Sequence, residues 1–480
     1  MWTSWRFKTG SSWTNLCFAV FIGQRVGANG NPLKSASTRW QGALPWILLR
    51  ISVWQKQKWV RVVRQNPEPV PQPSFKWDTM RTIWSFGSAS QVFFGQNASL
   101  RTGEMAQKHG LRKLFVISDP ILDQAGIVKK VVDPLFSSGI DVAVHLGGEP
   151  EPSLAAILKS VEAARAFGPT GLVGLGGGSN MDLAKLTSKI LAHGGHPRDY
   201  TGDDRLPGPI VPLICIPTTA GTGSEVSHAD VYTDPDAGIK IGSLSPFLRP
   251  LVALVDPLLT LSCPPKVTAD SGIDALTHAI EAFTAISNEQ FPLPEPGRSL
   301  YQGKNPMGDL MAEKTIRLVG KHLAQAVEKP LSMADREGMA LAATLGGLAF
   351  SNVGVGAVHA LEYAIATVVH VSHGAGNGLL LPFVLSEFVG VRAAELGQIA
   401  TWLGVDTTQM DQDMAAKKAI DAIVTLRKRI GIPDRLRELG FPREKTAEVA
   451  AKAVAVERIM RVTPRRLDLS DCIRILENAW

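Results

Sequence analysis

From Met80 onward the apolar and polar positions follow two successive regimes. The first has short apolar runs, Leu114–Ser118, Val142–Leu146, Gly171–Gly174, Leu213–Ile216 and Leu251–Val255, each closed by Pro- or Gly-containing turns. Runs of this length between turn residues read as buried strands. Amphipathic stretches, Pro152–Phe167 and Asp182–Ala192, lie between them and read as helices. Such alternation predicts a parallel α/β sheet covered on both faces. After Cys263 the strand-like runs stop. Long Ala/Leu/Ile-rich segments follow: Thr268–Ser287, Pro306–Lys321, Ala334–Phe350, Val358–Val369 and a last run to Trp480. The expected architecture is α/β plus all-α: a parallel-sheet domain over 80–262, then a helical domain over 263–480.

Residues 1–79 form an atypical extension. Seven of the eleven tryptophans lie in its first 75 residues, with no clear helical or strand period. Residues 1–67 hold ten Lys/Arg and no Asp or Glu, leaving 40 Lys/Arg against 44 Asp/Glu in the remainder. The formal charge of +6 therefore belongs to the extension, and the body is mildly acidic. This argues against a nucleic-acid partner. An acid-poor, Ser- and Arg-bearing start is compatible with an organelle transit peptide, a disordered appendage, or an upstream extension of the reading frame. A cytoplasmic location is expected, or a mitochondrial one if the extension is a transit peptide. Asn66–Ser74 reads as a Pro-rich linker. Four separated cysteines offer neither a disulfide framework nor a thiolate metal site. No apolar run approaches the ~18–20 residues that span a bilayer, so no membrane partner is expected.

Two loops carry nucleotide chemistry. Gly176-Gly177-Gly178-Ser179-Asn180-Met181-Asp182 follows a strand and opens a helix. Glycines there let the backbone approach a pyrophosphate, whose charge a helix N-terminus stabilises. Thr218, Thr219 and Thr222 lie in a second Gly-containing loop after another strand. Two such loops at strand C-termini mark the crevice where α/β sheets bind ligands. Asp119 could accept from a ribose 2′-hydroxyl, favouring NAD over NADP, or simply cap the turn before Pro120. Lys240 could neutralise a phosphate or be solvated.

The helical half carries the second set. Asp274 and His278 are i and i+4 and share a helix face. His359 and His373 are fourteen residues apart, a rise of ~21 Å on one straight helix, so the helix must break for both to reach one ion. Thr367-Val368-Val369 and the Gly-rich run after His373 permit that break. One carboxylate and three imidazoles suit Fe(II) or Zn(II).

Gly176–Lys185, Pro217–Glu225, Asp270–Phe283 and Gly354–Pro382 resemble, in order, the signature blocks of the iron-containing (group III) alcohol dehydrogenase family. The resemblance covers about Met80 to Trp480. It implies a dinucleotide-binding α/β domain followed by a helical metal domain, with NAD and Fe2+ as cofactors, while the ligand types themselves also admit Zn2+. It places the metal ligands at Asp274, His278, His359 and His373. A small-molecule alcohol or aldehyde substrate and a homodimer are expected. Many members have histidine where this chain has Tyr363, the candidate catalytic, proton-handling residue. Tyr363 and the block Tyr301-Gln302-Gly303-Lys304-Asn305-Pro306 are similar to the hydroxyacid–oxoacid transhydrogenase branch. The expected function is hydride transfer between a small alcohol or hydroxy acid and NAD, with the metal polarising the substrate oxygen. The alternative is a transhydrogenase with retained NAD. A maleylacetate-reductase-like enzyme or a dehydroquinate-synthase-like lyase fits the ligand pattern less well. Arg298 and Lys304 are basic candidates for facing a carboxylated substrate.

Overall fold

The computed structural model describes residues 81, 83–234, 239–293 and 299–480, together with the backbone of four strands before them. Met1–Lys76 and Trp77–Trp480 are separate compact units. In the smaller unit β1 (Trp2–Thr9) pairs antiparallel with β2 (Ser12–Ala19), and β3 (Leu48–Ile51) with β4 (Lys58–Arg61). The sequence shows no clean period here, yet Trp, Thr and Phe favour extended backbone wherever they fall in the pattern.

In the larger unit β5 (Gln91–Phe94), β6 (Lys113–Ile117), β7 (Asp141–His145), β8 (Gly171–Gly176), β10 (Leu213–Pro217) and β13 (Val252–Val255) form a parallel sheet of order β5-β13-β10-β8-β6-β7. Both β8 and β10 are buried at every position, which is why each reads as an unbroken apolar run. The pattern does not reveal β5, an edge strand whose four residues alternate between half-buried and exposed. Five helices accompany the sheet: α1 (Thr102–Lys108), α2 (Pro120–Gln124), α3 (Ile127–Ser137), α4 (Leu154–Phe167) and α5 (Gly178–His193). A Cβ on Gly174 of β8 would lie 3.0 Å from Ala184 Cβ and 3.1 Å from Met181 Cα. Glycine there lets α5 sit directly on the strand that feeds it. A second sheet, order β11-β12-β9, pairs β11 (Ala229–Asp234) antiparallel with β12 (Ile239–Leu244), and β12 parallel with β9 (Gly202–Asp203).

The remainder is helical: α6 (Pro265–Thr284), α7 (Pro306–Glu328), α8 (Met333–Val353), α9 (Ala357–Ile365), α10 (His373–Ser386), α11 (Val389–Trp402), α12 (Gln412–Arg429), α13 (Thr446–Val454), α14 (Glu457–Met460) and α15 (Leu469–Ala479). Every residue of α6 from Gly272 to Thr284 is buried. A helix enclosed on all faces is the centre of its core, and α7, α8 and α10 pack around it. Between α8 and α9 the chain bends by 100°, through Gly354 at φ 125°. The expected break between His359 and His373 is present, since α9 ends at Ile365 and α10 begins at His373. Among the described residues no single helix is long and apolar enough to cross a membrane.

Beneath the crevice α5 drives two fully buried lysines into the packing. Lys185 Nζ donates to Ser224 Oγ (2.8 Å), Ser227 Oγ (3.1 Å) and the carbonyls of Ser227 and Ala229 (3.2 and 2.8 Å). Lys189 Nζ pairs with Asp230 (2.9 Å) and donates to Ser243 Oγ (2.6 Å). From the same helix, Asp182 accepts from Ser224 Oγ (2.7 Å) and the Val231 amide (3.1 Å). These contacts bind α5, the 218–225 loop and β11 into one block. Removing one partner of a buried pair strands the other charge, so Lys189→Met should cost about 3–5 kcal/mol in denaturant unfolding. Adding Asp230→Asn should recover part of that loss.

Burial pushes the Asp182 carboxyl up to about 6, against the pull of Lys185 and Ser224 and with a further push from Asp230. A carboxyl raised in the fold contributes stability that is full below its unfolded pKa and lost as pH rises through the folded one. Asp182→Asn should therefore gain stability over the wild type between about pH 4 and pH 6, by on the order of 1–3 kcal/mol, with no further gain at higher pH. Parallel unfolding curves across that window would refute the assignment.

Candidate active site

The central helix α6 presents Asp274, His278 and, one further turn on, Glu281. Short helix α9 supplies His359, Glu362 and Tyr363, and the first turns of α10 supply His373 and Asn377. A close approach makes this convergence feasible. A Cβ on Gly374 would lie 1.9 Å from the Asp270 carbonyl, and one on Gly378 2.7 Å from Ile273 Cγ1. Only glycine at both places lets α10 start against α6.

Asp274 Oδ1 lies 3.9 Å from His359 Nε2 and 3.8 Å from His373 Nε2. Each of the three residues offers a ligand atom within 4.8 Å of the others. The two imidazoles are oriented by carboxylates that the sequence reading overlooked. His359 Nδ1 meets Glu281 Oε2 at 2.5 Å, and His373 Nδ1 meets Glu362 Oε2 at 2.5 Å. With Nδ1–H donated to a carboxylate, each ring turns an Nε2 lone pair toward Asp274. Glu281 lies one turn past His278 and Glu362 one turn past His359, but each orients a histidine of another segment, so spacing alone does not reveal the pairing.

His278 stands apart from that trio. Its Nδ1 is 3.8 Å from Asp274 Oδ2, and its ring stacks on Phe350 and His359 with centroids 4.2 and 4.8 Å away. That Nδ1 is buried without a hydrogen-bond partner among the described residues. Burial, only partly opposed by Asp274, drops the imidazole to about 3, so it is neutral with a free lone pair.

Asn377 is a further member of the site that no sequence motif marks. Its Nδ2 lies 2.8 Å from Asp274 Oδ1, 3.1 Å from His373 Nε2 and 3.2 Å from His359 Nε2. Two amide hydrogens thus face three acceptors, with the orphaned His278 nitrogen close by. A donor set so rich in lone pairs and short of positive charge fits a divalent cation of the imidazole–carboxylate class. Burial opposes charge on Asp274, but the surrounding imidazoles hold its carboxyl below the usual range.

The Gly-rich loops meet as expected. Gly177 is the N-cap of α5, Gly176 has φ 145°, and a Cβ on Gly178 would lie 2.6 Å from Thr222 Cγ2. Thr219 and Thr222 therefore close against the glycines, and the Thr218 amide donates to the Gly176 carbonyl (3.0 Å). Ser179 Oγ accepts from the Glu151 amide (3.2 Å). Asp119 caps α2, accepting from the amides of Ile121 (2.9 Å) and Leu122 (3.0 Å). Its second oxygen accepts from Asn180 Nδ2 (2.7 Å), which ties it to the Gly-rich turn.

Lys240 is neither solvated nor free. Its Nζ contacts Glu151 Oε1 at 2.7 Å and Glu362 Oε1 at 3.3 Å, so it bridges the crevice to the carboxylate behind His373. One cavity is lined by Ser179, Asp182, Thr222, Lys240, Asp274 and Tyr363 together, so both sets of candidate residues open on the same space. The Tyr363 ring lies 5.7 Å from that of His373, and burial pushes its phenol well above the usual range. It is an O–H donor at neutral pH. Lys304 does not face this space; its Nζ donates to the Phe283 carbonyl (2.9 Å) and Asp309 (2.7 Å). Arg298 lies outside the described residues.

Known proteins are similar to this chain over both halves. The family model for iron-containing alcohol dehydrogenase matches residues 89–257, and that for the C-terminal part of the Fe-containing alcohol dehydrogenase family matches residues 300–480. An NAD-dependent methanol dehydrogenase of Bacillus methanolicus is 31% identical over 80% of this chain and 97% of its own length. A 1,3-propanediol dehydrogenase of Citrobacter freundii is 35% identical over 72% of this chain and 86% of its own. A solved 1,3-propanediol oxidoreductase is 32% identical, covers 83% of this chain and 100% of its own, and has a TM-score of 0.78. With a parallel nucleotide-type sheet, a helical half carrying the Asp/His cluster and matches over both, the chain belongs to the iron-containing alcohol dehydrogenase family and is an oxidoreductase.

Proposed function

We propose that the protein is an NAD-dependent dehydrogenase that interconverts a small primary alcohol and its aldehyde at one divalent iron. Asp274, His359 and His373 would hold the ion, with His278 reaching it from one turn along α6. The observation that carries this reading is the pair of carboxylate-oriented imidazoles. Rings fixed by Glu281 and Glu362 have their Nε2 lone pairs committed to one point beside a buried carboxylate. A divalent ion at such a point supplies Lewis acidity, which makes a hydroxyl easier to deprotonate.

The chain's own residues do the rest. The 176–179 and 218–222 loops offer backbone N–H groups at the start of α5 for a pyrophosphate. Asp119, anchored to that turn through Asn180, offers carboxylate oxygen to a ribose hydroxyl and repels a 2′-phosphate, which favours NAD. Lys240 compensates Glu362, so the carboxylate stays charged and keeps the His373 proton on Nδ1. Tyr363 holds its phenolic proton and can donate a hydrogen bond to a substrate oxygen in the shared cavity.

Stripping metal with a chelator should abolish nicotinamide reduction by short primary alcohols, and Fe(II) under anaerobic conditions should restore it. Unchanged turnover in protein shown by elemental analysis to be metal-free sinks the proposal. Hydride exchange between a hydroxy acid and an oxo acid without added NAD would point instead to a retained cofactor. Glu281→Gln and Glu362→Gln should each weaken metal affinity about 10–100-fold while leaving the fold intact. Competition against a fluorescent chelator reads that change without any turnover.

A further inference from the structure

The cavity that holds the metal-type cluster also holds a cation that the proposed chemistry does not use. Arg458, on the short helix α14, lines the same space as His359, His373 and Tyr363. Its Nη1 is buried and has no hydrogen-bond partner among the described residues. The nearest acid is Asp203, with Oδ1 3.8 Å from that nitrogen, beyond hydrogen-bonding reach. The other oxygen of Asp203, Oδ2, pairs with Arg461 Nη2 at 2.9 Å, while the Oδ1 that faces Arg458 makes no hydrogen bond among the described residues. Two guanidinium groups thus share one carboxylate, leaving a surplus positive charge at this end of the cavity.

The other ionic groups facing the cavity are accounted for. Lys240 sits between Glu151 and Glu362, and Asp230 holds Lys189. Asp182 is engaged by Ser224 and the Val231 amide. On the floor beneath the guanidinium β12 carries Gly242, whose Cβ would lie 3.5 Å from Arg458 Nη2. A methyl group there would touch the arginine at ordinary van der Waals distance. A buried N–H left without an acceptor is costly, and an anionic acceptor relieves it best.

We propose that Arg458 is the specificity-determining residue for an anionic substrate tail: the preferred substrate is a short hydroxy acid, or the corresponding aldehyde acid, whose carboxylate pairs with Arg458 while its hydroxyl or carbonyl faces the Asp274–His359–His373 cluster. This rests on the dehydrogenase reading of the same site and narrows its substrate class.

The test compares hydroxy acids with diols of equal length on metal-reconstituted, full-length protein. The pairs are 3-hydroxypropanoate with 1,3-propanediol and 4-hydroxybutyrate with 1,4-butanediol. Two readouts are taken: kcat/KM with NAD, and binding to the NADH-saturated enzyme by calorimetry, where no turnover occurs. In the wild type the acid of at least one pair should bind and react better than its diol. Arg458→Met should weaken that acid about 10–100-fold, the range of a charge-assisted hydrogen bond, and leave the diol within about twofold. Arg458→Lys should retain part of the preference and serves as the folded control. Equal losses for acid and diol, or a wild type that never prefers the acid, overturn the proposal. If no substrate reduces NAD, the dehydrogenase reading fails, while calorimetry still decides whether Arg458 selects the carboxylate.

Discussion

Two hydrogen bonds, a buried one from His359 to Glu281 and a partly buried one from His373 to Glu362, set the conditions for the rest of the site. An imidazole alone has two tautomers and a ring free to rotate. A carboxylate at Nδ1 removes both freedoms and makes the opposite nitrogen a stronger donor. The cost is two buried glutamates, each of which needs compensation. Glu281 obtains it from the His359 ring and the Val358 amide at 2.7 Å. Glu362 obtains it from His373 and Lys240, and Lys240 in turn needs Glu151. The requirement therefore passes from the core of the helical half across the cavity to the loop before α4. Orienting one ring draws in residues from α9, β12 and the segment after β7.

The same logic operates on the sheet side. Buried Lys185 and Lys189 carry no chemistry of their own in the proposed reaction, yet they hold the 218–225 loop and β11 against α5. Their hydroxyl and carbonyl partners are what shape the wall opposite the metal-type cluster. Catalytic geometry and fold stability are here one network, so a substitution at Asp182 or Lys189 is expected to register in both.

Legibility of the sequence followed the strength of the physical signal. Strands β8 and β10 were plain because burial on both faces forces an unbroken apolar run. The edge strand β5 and the polar β11–β12 pair were not, because each needs its neighbours to become extended. The break between His359 and His373 was deducible from helix rise alone. Glu281, Glu362 and Asn377 were harder, since a glutamate on a helix is usually solvated and only the packing shows that these are enclosed. Lys240 reads in sequence as a phosphate partner or a solvated charge; its two glutamates come from segments about 90 and 120 residues away, which no local pattern links. Arg458 likewise lies far along the chain from the cluster whose cavity it lines, beyond the reach of any local pattern.

One further feature constrains how the cavity can vary. Gly223, at φ 61°, faces Gly347 of α8 so closely that a Cβ on it would lie 2.4 Å from Gly347 Cα, and one on Gly347 2.7 Å from Gly223 Cα. Loop and helix meet backbone to backbone, with Thr344 donating to Glu225 (2.8 Å) beside the contact. The spacing between the nucleotide loops and the helical core is thus set by the absence of two methyl groups. A single added carbon would wedge the halves apart and carry the crevice away from the imidazoles. Variation in substrate is left to cavity-lining side chains away from that joint, such as Arg458.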